Sequence, residues 1–482
     1  MLRKNLLYNM LLSVSHLIFP LITFPYASRI LGPQGMGAVS FIDSITQYFI
    51  LFAALGVPLY GIREISRCGD DQEKRNRIFS EILVIHLAAT VLFSIVYAAI
   101  AFNVTALQVH WPLVAVGIAS MYFNVFAVEW FYQGTEQFVY ITRRTLLIRL
   151  LTVVILFVFL KPGSDPVVYS VIFVSAILMN AIINVIMLRK HVRLDFRPAG
   201  LTRHIRPLVL IFGSAVTVSV YTLMDNVLLG FIKNETAVGI YSTSLKIVRI
   251  PFTLIAAIGA VILPQVSRAF AEQQRERVNE LINKSFAFTC IVGLPIVSGL
   301  FVSAGFLVSC FAGPAFAQAA DVIRILCPVV MLIGMNSLLA TQLLAPMGME
   351  RQLLVLAVIC MIFSLCSNFI LIPLYSFNGA AVTNVFTEAL LVGMLWYSVR
   401  KAKAATLNTR IFFQCLTVAI LFVPIALGIR LLDIDYMVRE MVIIVACGLF
   451  YCTCLLVFIE NEHIKTVSQF MLSKLSLQRI KN

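Results

Sequence analysis

Two cations, Lys246 and Arg249, stand three residues apart inside an apolar stretch running from Val238 to Arg268. A helix this apolar reads as a membrane span. Near mid-depth each cation costs roughly 2.5–3.5 kcal/mol. The pair therefore costs about 5–7 kcal/mol, comparable to the roughly 5–15 kcal/mol net stability of a whole domain. Their spacing puts both on one helix face. That face should look into the protein or a wet cavity, not into lipid. Arg grips phosphate oxygens as a rigid fork while Lys acts as a point charge, so the pair suits an anionic substrate.

Other charges lie within apolar runs. Arg29 closes the first. Asp43 and Asp225 each sit about two turns inside a run, and Glu388 sits near the middle of another, one turn after Asn384. An intramembrane carboxylate is a natural proton or sodium site. The bland alternatives are a structural ion pair for Asp43 and Asp225, and a hydrogen-bonded packing role with Asn384 for Glu388. Asp225 is a plausible partner of Lys246 or Arg249, because consecutive spans joined by a short loop lie side by side. Glu81, Glu129 and Arg324 lie near run ends, where snorkelling to the interface is the simplest reading. Asn124, Asn180, Asn184, Asn336 and Asn368 offer the polar contacts a sugar needs, or bonds across helices, the commoner use.

Signs of catalysis and resident cofactors are missing. No G-x-x-x-x-G-K-[ST] loop occurs. Six histidines are scattered without ligand spacing. The ten cysteines sit mostly inside apolar runs, as in Cys360, Cys366, Cys447, Cys452 and Cys454, and read as small packing residues. No catalytic residue, metal ligand or cofactor is expected, and the chain does not read as an enzyme.

The elements that must hold these residues are helices. The chain has 482 residues, 60% hydrophobic and 12% charged, which places it with polytopic membrane proteins. The net charge of +14 does not point to nucleic acid, because the basic residues fall in short loops between apolar runs. Runs of about 20 residues, each long enough to cross a core about 30 Å thick, recur about fourteen times. They lie near 9–31, 37–60, 78–101, 111–132, 141–160, 166–188, 208–232, 238–262, 284–306, 321–345, 352–374, 379–399, 411–432 and 440–459. Loops after the even-numbered runs are rich in Lys and Arg, including Arg143 and Arg144, and the opposite loops are poor in them. The positive-inside rule then places both termini in the cytoplasm. The first run is too long for a cleavable signal peptide and leads into further spans. Pro20 and Pro25 mark a possible bending point within it.

The expected organisation is an N-terminal six-helix bundle over 1–188 and a cytoplasmic basic linker over 189–207. A second six-helix bundle covers 208–400, two additional transmembrane helices cover 401–460, and an amphipathic cytoplasmic tail covers 461–482. The halves echo each other. Met36-Gly37-Ala38-Val39-Ser40 resembles Val238-Gly239-Ile240-Tyr241-Ser242, Leu55-Gly56-Val57 resembles Ile258-Gly259-Ala260, and Ser66-Arg67 resembles Ser267-Arg268. All three matches share an offset near 202, which suggests an internal duplication with parallel repeats. A cavity between two such bundles, open first to one side and then the other, gives alternating access.

The run from Phe24 to Gly37, containing Arg29-Ile30-Leu31-Gly32-Pro33, is similar to the opening of the Wzx (RfbX) polysaccharide flippases. Val238-Gly239-Ile240-Tyr241-Ser242 with the downstream Lys246 is similar to that family too. The resemblance implies an all-α, MATE-like fold of the multidrug/oligosaccharidyl-lipid/polysaccharide exporter superfamily in the bacterial inner membrane. It implies transfer of undecaprenyl-diphosphate-linked oligosaccharide, such as an O-antigen unit of lipopolysaccharide, between leaflets. The implied partners are that lipid-linked diphosphate, the bilayer and other polysaccharide assembly proteins. A cationic cavity and ion coupling are implied as well. Arg29, Lys246 and Arg249 match the first by position and charge; Asp43, Asp225 and Glu388 are the candidates for the second. Two other readings compete. A MATE-type drug or metabolite antiporter predicts an anionic cavity, against the Lys246/Arg249 pair. A membrane polysaccharide polymerase needs a large outer loop, and none is present.

Overall fold

Apolar backbone in lipid must satisfy its own hydrogen bonds, so spans of this composition become helices. The computed structural model of the chain describes residues 2–194 and 200–458, and is built almost wholly of them. They are α1 (Leu2–Ala54), α2 (Val57–Ser66), α3 (Gln72–Asn103), α4 (Thr105–Gln108), α5 (Trp111–Ala127), α6 (Glu129–Gly134), α7 (Phe138–Phe159), α8 (Pro166–Leu188) and α9 (Thr202–Ile232). There follow α10 (Glu235–Arg249), α11 (Phe252–Ala271), α12 (Arg275–Phe311), α13 (Ala319–Leu326), α14 (Pro328–Asn336), α15 (Glu350–Lys401), α16 (Thr409–Ile420), α17 (Phe422–Arg430) and α18 (Tyr436–Phe458).

Ten helical stretches among the described residues are long and apolar enough to cross a membrane. Two of them, Ile18–Ser66 with 49 residues and Glu350–Lys401 with 52, are of double length. At 1.5 Å per residue each rises about 75 Å, more than twice a hydrocarbon core of about 30 Å. Ile18–Ser66 turns at Leu55-Gly56 between α1 and α2, and α1 and α15 each contain one break. In α1 it is Gly32, with φ 63° and ψ −177°. That region is essentially open to glycine alone. Leu31-Gly32-Pro33 therefore separates the expected spans 9–31 and 37–60, and no residue of the Pro20/Pro25 pair leaves helical dihedrals. In α15 the break is Ser376, with φ 53° and ψ −132°, between the expected spans 352–374 and 379–399. The expectation of about fourteen spans counts each long helix twice and adds α7 and α9.

Local signals set the helix ends. The Asp71 side chain caps α3 by accepting from the Lys74 N–H at 2.9 Å, and Asp165 caps α8 from the Val167 N–H at 2.7 Å, with Pro166 at the first helical position.

The chain divides into two compact units, Met1–Ser242 and Thr243–Asn482. The division falls inside α10. The basic linker expected over 189–207 lies within the first unit, its last residues are already helical from Thr202, and α9 packs against α1 and α2. Residues 195–199 of that linker and the tail expected over 461–482 lie outside the described residues.

In the first unit the core is aromatic where α2, α3 and α6 meet. Phe79 stacks on Trp130 at 5.1 Å and meets Phe131 edge-on at 5.4 Å. Gly61 makes this possible, because a Cβ there would come within 2.5 Å of the Trp130 ring. In the second unit α11, α12, α14 and α15 surround a π-helical segment, Ser337–Leu344, whose Leu338, Leu339, Leu343 and Leu344 are fully buried. A smaller cluster joins Val302 of α12 to Phe422 and Tyr451 of α17 and α18.

Candidate functional site

α10 presents its two cations as their spacing requires. Lys246 and Arg249 are both exposed, while Leu245, Ile247 and Val248 beside them are buried. A lipid-facing position for both would carry the full insertion cost of each. An exposed pair on a membrane helix therefore belongs on a wetted face. Arg29, in the first unit, is also exposed.

The three candidate carboxylates differ in setting. Asp43 is exposed and accepts a long 3.4 Å hydrogen bond from Gln47. Asp225 is buried, and the Tyr241 hydroxyl donates to it at 2.5 Å. Glu388 is buried and accepts from the Asn336 amide, which ends α14 where the π segment begins. π segments concentrate at functional positions. Sequence spacing proposes Asn384 for Glu388; Asn336 is 52 residues away and reaches it only through the fold.

The two echoing motifs touch. A Cβ on Gly37 would overlap the Glu235 carbonyl oxygen, and one on Gly239 would overlap the Pro33 carbonyl oxygen. The contacts are reciprocal: 33 and 235, and 37 and 239, are each related by the offset of 202. Ser242 donates to Ser40 at 3.1 Å across the same offset. Small residues allow two backbones to approach this closely in a membrane. The duplication thus appears as a local two-fold helix crossing within the first unit.

Several charges differ from their sequence reading. Arg144 is not a loop cation. It lies inside α7, is buried, donates to Asn184, and reaches Glu129 at 2.5 Å. Asn184 in turn donates to the Ala127 carbonyl and accepts from the Tyr140 hydroxyl at 2.9 Å. So Asn184 bonds across helices, and Glu129 is an ion-pair partner, not a snorkelling side chain. Glu81 does not snorkel either. It is buried and accepts from His204 at 2.8 Å, Arg203 at 2.5 Å and Arg77 at 3.1 Å. His204 also bonds the Tyr60 hydroxyl at 2.6 Å. Arg324 remains a surface residue, paired with Asp321 at 2.6 Å.

Comparison with known proteins adds an independent line. The family described as "Polysaccharide biosynthesis protein" matches residues 2–270, and MatE matches residues 211–371. A protein of Escherichia coli named "Putative O-antigen transporter" is 25% identical over 405 residues, 83% of this chain and 97% of that protein. One of the same name from Shigella dysenteriae is 23% identical over 404 residues, 83% of this chain and all of that protein. Among solved structures, the lipid II flippase MurJ in an inward closed conformation superimposes with a TM-score of 0.76 at 14% identity. The match covers 94% of this chain and 98% of that one. An inward-facing multidrug resistance MATE family transporter gives 0.67 at 16% identity over 80% and 94%. At these identities the structures establish the fold alone, an all-helical fold like that of MurJ and the MATE proteins.

Proposed function

The chain belongs to the polysaccharide biosynthesis protein family, and from that premise we propose that it is a flippase carrying a lipid-linked oligosaccharide across the membrane by alternating access. The observation that carries this reading is the exposed Lys246/Arg249 face of α10. Two cations on adjacent turns suit a diphosphate, each meeting one phosphate by a charge-assisted bond. An undecaprenyl-diphosphate carrier supplies that anion together with a lipid tail and a glycan. Arg29 is a further candidate contact to it. The names of the relatives from Escherichia coli and Shigella dysenteriae support an O-antigen or related surface glycan as cargo. A drug antiporter handling cations is disfavoured by the same two cations.

The loop charges support a bacterial inner-membrane setting with both termini cytoplasmic. Ion coupling is assigned to the carboxylates: Asp225 and Glu388 are buried and hydrogen-bonded, and Asp43 is exposed. Transport is not expected to involve bond making, a metal or a cofactor. The test is surface glycan in a strain lacking its own flippase gene, normalised to membrane abundance of the protein. Lys246→Ala and Arg249→Ala should each lower glycan at normal abundance; full-length glycan from both would reject the cationic site.

A further inference from the structure

The first unit contains a cavity of about 320 Å³ between α2, α3, α5, α6 and α8. This lies at the low end of the roughly 300–1,000 Å³ usual for small-molecule sites. Its polar lining is His86, Asn124, Glu129, Trp130, Gln133 and Asn180. Three features set it apart.

First, one membrane-crossing stretch, Trp111–Gly134, is broken at the cavity wall. Val128 holds φ 37° and ψ 33° between α5 and α6. A β-branched residue in the left-handed region costs about 1–3 kcal/mol and persists only where its surroundings hold it there. Broken backbone at membrane depth is tolerated where it is buried in protein or lines a wet cavity. Transporters place such half-helix ends at binding sites.

Second, the lining holds unused hydrogen-bonding capacity. His86 Nδ1, Trp130 Nε1 and Asn180 Oδ1 are buried with no hydrogen-bond partner among the described residues. His86 and Trp130 are only 6% and 5% exposed. Each such group costs about 1–3 kcal/mol if nothing meets it.

Third, the lining carries no excess charge. Glu129, its one carboxylate, is neutralised by Arg144. An ion would need a net charge opposite to its own, and a wholly apolar ligand would leave the buried polar groups unmet; Ile62, Val128 and Ile177 supply apolar wall for the C–H face of a ring. Amides, an indole N–H and an imidazole instead present donors and acceptors side by side, which matches a ligand whose every hydroxyl is both. The Trp130 ring already stacks on Phe79 and lies against Gly61, and its N–H is left without a partner among the described residues.

We propose that this cavity is a sugar subsite, taking one neutral pyranose ring of the transported glycan. The proposal rests on the flippase reading above and adds a second contact, for sugar, separate from the diphosphate contact on α10.

Binding by the purified full chain in nanodiscs tests it. The probes are farnesyl diphosphate and its glucosyl, galactosyl and N-acetylglucosaminyl esters. Wild type should bind at least one sugar-bearing probe about tenfold more tightly than the bare diphosphate. Asn180→Ala and Gln133→Ala should each reduce that preference about 2–10-fold, the loss of roughly one hydrogen bond. Neither should change affinity for farnesyl diphosphate itself. Ile177→Phe, which fills the cavity and removes no polar group, should abolish the preference and guards against a variant that fails to fold. Lys246→Ala should weaken all four probes equally. A wild type indifferent to all three sugars, or variants that keep the full preference, would overturn the sugar subsite. Wild type that does not bind farnesyl diphosphate at all would instead reject the flippase reading, and the subsite with it.

Discussion

Arg144 and the Lys246/Arg249 pair are cations of the same membrane protein in opposite settings. Arg144 is buried in the first unit, and its guanidinium donates to Asn184 and Glu129. Lys246 and Arg249 are exposed on α10, beside residues buried nearly completely. The low-dielectric interior accepts a charge only when its hydrogen bonds and counter-charge are in place. Arg144 meets that condition with its own protein, which marks it as part of the framework. Lys246 and Arg249 keep their exposure to water, so they do not depend on burial against a counter-charge. Burial, and not the residue type, separates a structural cation from one available for binding.

The sharpest way to break this contrast is Arg144→Ala. Truncating one partner of a buried charge pair costs about 3–5 kcal/mol. The lower end applies here, because the Glu129 side chain is 45% exposed and keeps some water. Membrane abundance and thermal stability should fall together. Arg144→Lys should recover only part of either, since a point charge cannot bridge Asn184 and Glu129 as a fork does. Normal abundance with lost transport would move Arg144 into the working site and dissolve the distinction.

Much of the framework was legible in the sequence. Apolar runs of membrane length fixed the helices and their order, because in lipid no other open structure satisfies the backbone. The duplication was legible too, from Gly37, Ser40, Gly239 and Ser242. That the two copies touch was not, since a shared motif says nothing about whether its copies meet. Arg144 was misread as a loop residue because counting charges between apolar runs assigns a cation near a run end to the loop. Two of the three Glu81 partners are hidden by distance: Arg203 is 122 and His204 123 residues away, and only Arg77 is a helical neighbour. The break at Val128 carries no signal at all, because Phe126-Ala127-Val128-Glu129 contains neither glycine nor proline. Tertiary packing imposes it. Asn124 and Asn180 were visible as polar residues in spans, but only the fold brings them to one cavity.

The duplicated crossing gives the next-largest effect. Gly239→Ala places a methyl group against the Pro33 carbonyl, and Gly37→Ala places one against that of Glu235. Backbone cannot yield as a side chain can, so each should cost about 1–3 kcal/mol. Matched losses of thermal stability are expected from a reciprocal contact. A loss for one variant and none for the other would show that the crossing is not two-fold. Ser242→Ala, which removes the bond to Ser40 and a longer one to the Gly239 carbonyl, should cost about 0.5–1.5 kcal/mol. It should leave transport near normal, and a larger loss would give the crossing a role beyond packing.

The most direct test of the central claim is surface glycan per molecule of membrane-inserted protein, compared between Lys246→Ala/Arg249→Ala and wild type in a strain lacking its own flippase gene. Exposed cations contribute little to folding, so the double variant should insert at wild-type abundance and export little or no full-length glycan. Charge reversal of either residue to Glu should be worse than Ala. Wild-type glycan at wild-type abundance from the double variant would contradict the account.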